Sequence, residues 1–215
     1  MNKVSKIIQG LNEMSPQYVG EIPDRLINHV KNQIQMAHDK GLGKVVGKVN
    51  SGINIHQVDK YINAPVTTKY KAYYAVDSEG EVVYFAAYRS LNGITYKGFP
   101  KVPTNQVLVW RDKSNDMYRG IPLHVMLNYI LNLTGSVVTD KEQSQAGAGM
   151  WLQLCEMAFN LGYSVWKIDR NKLTKSATKF ESVADFYDQR DELYGTSAGF
   201  QNYLIGITKE SGQSL

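Results

Sequence analysis

The chain has 215 residues, of which 43% are hydrophobic and 11% aromatic, so it can bury one sizeable core. Its net charge of +4 is small and spread along the sequence, which permits an anionic partner without requiring one. No stretch approaches the roughly 18 apolar residues of a membrane span, and the polar N-terminus argues against a secretory signal peptide. We therefore expect a cytoplasmic protein without a membrane partner.

The composition favours a single domain over residues 1–215, because no linker-like stretch divides the sequence. A helical segment is predicted at 1–42. An apolar stripe at helical spacing runs from Val4 to Leu11, and it needs a surface either on this domain or on a second subunit of a homodimer. Residues 26–37 carry another stripe, which ends near Gly41.

Short strands are predicted next. Within 44–62 the alternation is loose and indicates one or two strands. The predicted core, at 70–208, opens with two clearer strands, Tyr70 to Val76 and Glu81 to Tyr88. The turn between them ends in Gly80, so we expect an antiparallel hairpin.

The stretch from Asn105 to Asp169 alternates strand, helix, strand, helix and strand. Gln106–Trp110 and Ser136–Thr139 are short apolar runs that are typical of buried strands. Pro122 suits the first turn of the helix between them, because an N–H at that position would have no helical partner. Right-handed crossovers then predict that the two strands run parallel and lie between the two crossover helices.

The second crossover helix has an unusually bare start. Thr139 and Glu142 have the spacing of a capping box, and the following stretch Ala146–Gly149 carries almost no side chain. Either the sheet or a ligand can approach such a backbone closely. Cys155 falls on the apolar face of this helix and has no disulfide partner, so we interpret it as an inert core residue.

The last third of the chain adds a helix at 183–194 and a strand at 200–208. The densest basic segment precedes them, from Lys167 to Lys179. It could meet a nucleic acid backbone, and a solvated loop is the alternative. The four scattered histidines and the single cysteine lack metal-ligand spacing, so no metal site is predicted.

The order of these elements resembles the GNAT-type acyltransferase fold. The resemblance implies a three-layer α/β domain, with a mixed central sheet and helices on both faces. In that family, a loop of pattern [QR]-x-x-G-x-[GA] follows the strand that corresponds to Gln106–Trp110. The loop and the N-terminus of the next helix hold the pyrophosphate of acyl-CoA. Here Arg119 and Gly120 fit the pattern, whereas Pro122 and His124 occupy its two small positions.

The resemblance implies acetyl-CoA or another acyl-CoA as cofactor. Its pantetheine arm would pair with the strand, and its pyrophosphate would lie on the loop. The implied cofactor-binding residues are Val109, Trp110, Arg111, Arg119, Gly120 and Ile121.

A second stretch, Thr139 to Leu154, resembles the Asp-x-x-Gln-[Ser/Thr]…Gly…Trp segment of GNAT-like proteins carried by bacteriophages. This similarity implies a phage-encoded protein that works in the host cytoplasm. Both resemblances together cover roughly residues 70–208, more in the order of elements than in individual residues.

Acyl transfer in this family needs few catalytic side chains. The acceptor amine attacks the thioester, a base or water takes its proton, and a Tyr often protonates the departing thiolate. Here Ala158 stands at the position of that Tyr. Tyr129 or Tyr163 could substitute, and the alternative is a buried tyrosine whose hydroxyl merely finds a partner. Asp140 follows a parallel strand, where it is either a catalytic base or a helix N-terminal acid.

Two functions remain open from the sequence. The first is a CoA-dependent N-acyltransferase that acts on a small-molecule or protein amine. The second is a catalytically silent GNAT-fold protein that binds a host protein or nucleic acid. The retained Arg119-Gly120 pair favours the first, whereas Pro122 and Ala158 favour the second.

Overall fold

The computed structural model describes residues 24–49, 52–59, 71–90, 96–103, 105–139, 145–170, 176–189, 193 and 203–209. The helices are α1 (Asp24–Asp39), α2 (an α-helical turn at Ile121–Val125, a π-helical turn at Met126–Ile130 and an α-helical turn at Leu131–Thr134), α3 (Gln145–Asn160) and α4 (Val183–Asp188). The strands are β1 (Lys44–Lys48), β2 (Asn54–Val58), β3 (Lys71–Val76), β4 (Val82–Ser90), β5 (Asn105–Arg111), β6 (Ser136–Val138), β7 (Ser164–Asp169), β8 (Ala177–Lys179) and β9 (Tyr203–Thr208). The helix predicted from Val4 to Leu11 lies outside the described residues.

The nine strands form one open sheet in the order β1-β2-β3-β4-β5-β6-β9-β7-β8. Most neighbours run antiparallel, and the predicted hairpin is confirmed as β3 and β4. The predicted parallel direction of the two central strands is confirmed as β5 and β6. The protein is therefore a mixed α/β structure that includes an N-terminal helix.

Strand alternation divides the core between the two faces of the sheet. Tyr73 packs in a cluster with residues of α2, α3 and α4, whereas its neighbour Tyr74 packs with residues of α1. We call these sides the α2–α3 face and the α1 face. The prediction that the parallel strands lie between the two crossover helices is wrong, because both helices occupy the α2–α3 face. Two crossovers of the same hand that proceed in the same direction across a sheet place their helices on one side.

On the α1 face, the predicted apolar stripe of α1 is buried against strands β2 to β5. Ile34 is fully buried, and Ala72 and Ala87 let the helix come close to the sheet. Burial of one such aliphatic side chain stabilises the fold by about 1.5–3 kcal/mol. The helix stops before Gly41, whose φ of 67° suits a glycine after a helix end.

The other half of this face has no described helix above it. Residues 96–103 cover β6, β7 and β9 instead, and Phe99 is buried with Val138, Ile168 and Leu204. Gly206 makes room for this packing, because a Cβ there would lie 2.9 Å from both Phe99 Cε2 and Ile168 Cδ1. None of the described helices is long and apolar enough to cross a membrane.

Candidate functional site

The central feature of the site is the offset between β5 and β6. The two strands pair at a single register, Gln106 with Val138. Strand β6 ends at Val138, whereas β5 continues to Arg111. Beyond Gln106, no strand in the described part of the chain pairs with this side of β5. We call the side from Val107 to Arg111 the open edge of β5.

The backbone groups that face the open edge follow from the ladder with β4. The N–H of Asp112 donates to the carbonyl of Val83 at 2.8 Å, and bonded pairs alternate along an antiparallel ladder. Even-numbered residues of β5 therefore bond to β4, and the N–H and C=O groups of Val109 and Arg111 face the open edge. An extended ligand can pair with such groups as an additional strand.

The side chain of Trp110 does not fill this edge. It packs on the α1 face, where its ring stacks on Phe85 with centroids 5.7 Å apart. The ammonium of Lys31 lies 5.0 Å from the centroid of the same ring. Val109 belongs to the opposite face and packs against the core beneath α2 and α3. The predicted cofactor residues Val109 and Trp110 thus lie on different sides of the sheet.

The start of α2 lies after the end of β5 and exposes backbone donors. Gly120 precedes the helix, and no side chain caps it. Ile121 is buried, and Arg119 and Gly120 are exposed. The first helical bond runs from the His124 N–H to the Gly120 carbonyl at 3.2 Å, and Pro122 contributes no donor. The first turn therefore offers the N–H groups of Ile121 and of the residue after Pro122.

Gly120 is not required by the fold. Its φ of −82° suits any residue, and a Cβ added there would meet no atom within 4 Å. The glycine before α2 therefore leaves open space at an exposed helix start. This space would let a ligand approach the backbone closely.

The start of α3 lies at the same edge of the sheet, because β5 and β6 are parallel and each is followed by its helix. The bare stretch predicted at Ala146–Gly149 is helical from Gln145 onward. A Cβ added at Gly149 would meet nothing within 4 Å. Asp140 and Glu142 lie outside the described residues, so the role of Asp140 stays a prediction.

Tyr129 lies far from the open edge. It occupies the π-helical turn of α2, where its ring centroid is 5.3 Å from that of Tyr73 on β3. Its hydroxyl approaches β1, and a Cβ at Gly47 would collide with it. Strand β1 is four positions away from β5 in the sheet. The structure therefore does not bring Tyr129 to the predicted cofactor residues.

Tyr163 lies at the opposite end of the sheet. It immediately precedes β7, which runs parallel to β6 because both are antiparallel to β9. Its position is thus at the N-terminal edge, whereas Arg119 and Gly120 follow the C-terminal end of β5. The Tyr163 hydroxyl is buried without a hydrogen-bond partner, and Ala158 is fully buried nearby in sequence.

Tyr84 is a residue at this site that the sequence did not single out. It lies on β4 directly opposite Arg111, the last residue of β5. The side chain is fully buried on the α2–α3 face, and its hydroxyl has no hydrogen-bond partner. Burial raises the pKa of Tyr84 well above its ordinary value, so the hydroxyl stays protonated. Sequence alternation could identify Tyr84 as a core residue but could not give its neighbour across the ladder.

Two residues from the other candidate features, Lys167 and Cys155, make contacts within the fold. Lys167 of the basic segment donates to Gln189 Oε1 at 3.1 Å, and its ammonium lies 4.4 Å from the centroid of the Tyr203 ring. Cys155 is fully buried, as predicted for a core residue, and burial raises the pKa of its thiol. The described residues contain no cluster of three or more metal-ligating side chains.

Comparison with known proteins returned no relative: the chain matches no protein-family model, no curated protein and no solved structure.

Proposed function

We propose that the chain is a single GNAT-like domain and a CoA-dependent N-acyltransferase, which transfers the acyl group of acetyl-CoA or another acyl-CoA to an amine. The observation that carries the proposal is the open edge of β5. Strands β5 and β6 are parallel but share only the register of Gln106 with Val138. A slot between two such strands is what the resemblance to the GNAT-type fold leads us to expect.

The open edge suits the pantetheine arm of the cofactor. The backbone groups of Val109 and Arg111 face it, so the amide groups of the arm can pair with them as an added strand would. Trp110 packs on the α1 face of the sheet, so its side chain does not fill this edge. Binding through the backbone requires no particular side chains. This agrees with the partial match of Arg119 and Gly120 to the loop pattern of the family.

The start of α2 suits the pyrophosphate. Its uncapped N–H groups and the positive end of the helix dipole attract anions, and the exposed guanidinium of Arg119 adds a full charge. Hydrogen bonds from charged donors contribute about 1.5–3 kcal/mol each. The open space at Gly120 lets the phosphate reach the backbone.

In the proposed reaction, the acceptor amine lies against the thioester at the open edge of β5. The nitrogen attacks the carbonyl carbon, and a base takes its proton. Asp140 lies two residues after the end of β6 in the sequence and is our candidate for that base. The acceptor is a small-molecule or protein amine in the cytoplasm, which is the host cytoplasm if the chain is phage-encoded.

One observation favours a silent binding protein instead. Pro122 lies in the first turn of α2 and removes one donor from the anion site. A protein that no longer binds CoA would tolerate this loss. Nucleic acid is a weaker candidate partner for such a protein, because no aromatic residue interleaves the basic segment from Lys167 to Lys179.

Calorimetric titration of the full chain with acetyl-CoA tests the proposal. We expect binding of one molecule per chain, and a rise in unfolding free energy of about 2.7 kcal/mol at a ligand concentration of 100 Kd. Incubation with acetyl-CoA and a panel of polyamines, amino acids and lysine peptides should then yield an acetylated amine. Absence of heat and of thermal stabilisation would remove the acyltransferase proposal and leave the binding protein.

A further inference from the structure

The amine of Lys31 lies at the strand that borders the open edge. Lys31 is on α1, and its ammonium is 5.0 Å from the centroid of the Trp110 ring on β5. Trp110 lies between Val109 and Arg111, whose backbone groups face the open edge. A lysine of α1 therefore reaches the strand on which the proposed binding of the pantetheine arm depends.

The stacking of two rings indicates on which side of Trp110 this amine lies. The Trp110 ring stacks on Phe85, with ring centroids 5.7 Å apart and 23° between the ring planes. Phe85 is on β4, directly opposite Trp110 in the ladder, so it covers the face of the ring that looks toward β4. The Lys31 ammonium lies over the same ring. It is therefore against the other face, which looks toward the open edge.

Asp112 indicates where along β5 the amine lies. This residue directly follows the end of the strand. Hydrogen bonds from Ser114, and then the charges of Lys31 and Arg111, lower the pKa of its carboxyl group. The ammonium of Lys31 is thus close enough to the C-terminal end of β5 to interact with a charge there. From this end the chain continues to Arg119 and the start of α2.

The amine is about one strand spacing from the proposed cofactor. Neighbouring strands lie about 4.8 Å apart, so a ligand that pairs with the open edge lies about that far from the backbone of β5. The lysine stem is flexible, and Lys31 is only half-buried. Rotation of the stem can therefore bring the nitrogen from the Trp110 ring to a thioester bound at the open edge.

We infer that Lys31 is an acceptor of the acyl group, so that the protein acetylates its own side chain. This inference rests on the proposed acyltransferase function. The ammonium first releases one proton to solvent, and its nitrogen then forms a bond to the thioester carbonyl carbon. Collapse of the tetrahedral intermediate breaks the C–S bond. The thiolate of CoA leaves with the electron pair and takes up the second proton that the nitrogen loses.

Trp110 positions the amine for this reaction. The face of an indole ring attracts an ammonium group, so it holds Lys31 near the open edge before the cofactor binds. Acetylation removes the charge and with it this attraction. The amide that forms is not a nucleophile, so Lys31 accepts one acetyl group per chain.

Mass spectrometry tests the inference without a separate acceptor. The full chain is incubated with deuterium-labelled acetyl-CoA, and peptide mapping identifies the labelled lysines. We expect Lys31 to be labelled at least about tenfold faster than Lys40, because a positioned intramolecular amine reacts at a high effective concentration. Lys40 is the comparison, since it is an exposed lysine just beyond the same helix. The labelling rate per chain should not depend on protein concentration.

Lys31→Arg is the matched variant, because it keeps a positive charge beside Trp110 and removes the reactive amine. We expect the fast labelling to disappear in this variant, whereas the Kd for acetyl-CoA should stay unchanged. The chain unfolded in urea measures the chemical acetylation that any exposed lysine undergoes. In that sample Lys31 and Lys40 should be labelled at equal rates.

The outcomes separate the inference from the function on which it rests. If the folded protein binds acetyl-CoA but labels Lys31 no faster than Lys40, the inference alone is overturned. A labelling rate that rises in proportion to protein concentration would also overturn it, because the thioester would then be supplied by a second copy. A protein that does not bind acetyl-CoA would overturn the proposed function, and the assignment of Lys31 with it.

Discussion

Val138, the last residue of β6, pairs with Gln106, the second residue of β5. This offset leaves most of β5 without a parallel neighbour, although both strands begin at the same end of the sheet. Strand β6 has only three residues, and on its other side it pairs with β9. The open edge is thus a consequence of strand length, and the uncapped start of α2 follows β5 in the chain.

The first prediction concerns the charge at that helix start. Arg119→Ala should weaken acetyl-CoA binding about tenfold to a hundredfold, because it removes charge-assisted hydrogen bonds to the phosphates. Calorimetric titration measures the change in Kd. Lys40→Ala is the control, since Lys40 is an exposed cation just beyond α1. Equal affinity of the two variants would mean that Arg119 does not contact the ligand.

The second prediction concerns the missing donor in the first turn of α2. Pro122→Gly restores an N–H there and should tighten acetyl-CoA binding about tenfold, because the donor faces an anion. The same change should lower the unfolding free energy by about 1 kcal/mol through added freedom of the unfolded chain. Pro122→Ala separates the two effects, since it restores the N–H with less added freedom. Stability loss without tighter binding in both variants would favour the silent binding protein.

Local patterns predicted the elements of the fold well. The hairpin of β3 and β4 and the helical stripe of α1 each depend on a few neighbouring residues, and both are confirmed. The site could be predicted only in part. Arg119 and Gly120 lie at the start of α2 as expected, because the end of a strand and a proline mark that position in the sequence.

Long-range relationships were not available from the sequence. The faces of Val109 and Trp110 depend on which side α2 occupies, and the neighbour of Tyr84 depends on the register between β4 and β5. No local signal indicated that Phe99 would cover half of one face in place of a helix. These features arise from the packing of segments that are distant in the chain.

The third prediction tests the packing of Phe99 against β6, β7 and β9. Gly206→Ala places a Cβ 2.9 Å from both Phe99 Cε2 and Ile168 Cδ1, and we expect a loss of about 1–3 kcal/mol in unfolding free energy from overpacking. Denaturant unfolding measures it. Gly149→Ala is the control, because Gly149 lies within α3 and a Cβ added there meets no atom within 4 Å. This substitution should stabilise α3 by up to about 1 kcal/mol. Equal stability of the two variants would mean that Phe99 is not packed on β9.

The last prediction concerns three rings where α1 meets the sheet. His56 on β2 is buried and stacks on Tyr74, with ring centroids 5.0 Å apart. His38, in the last turn of α1, lies edge-on to His56 at 5.3 Å, and its Nδ1 is 3.3 Å from the Tyr74 hydroxyl. Burial and the Asp39 carboxylate raise the pKa of Tyr74 to about 12, so this group stays neutral.

Burial, and then the charge on His38, lower the pKa of His56 below its usual 6.5. The unfolded chain therefore binds a proton more readily than the folded protein does, and stability falls as pH drops from about 6.5 through the lowered pKa. Urea unfolding at pH 7.5 and pH 5 should show this loss, and His56→Gln should reduce it. His124, whose pKa burial also lowers, accounts for part of the remaining dependence. If His56→Gln left the pH dependence of the unfolding free energy unchanged, protonation of His56 would not be its cause.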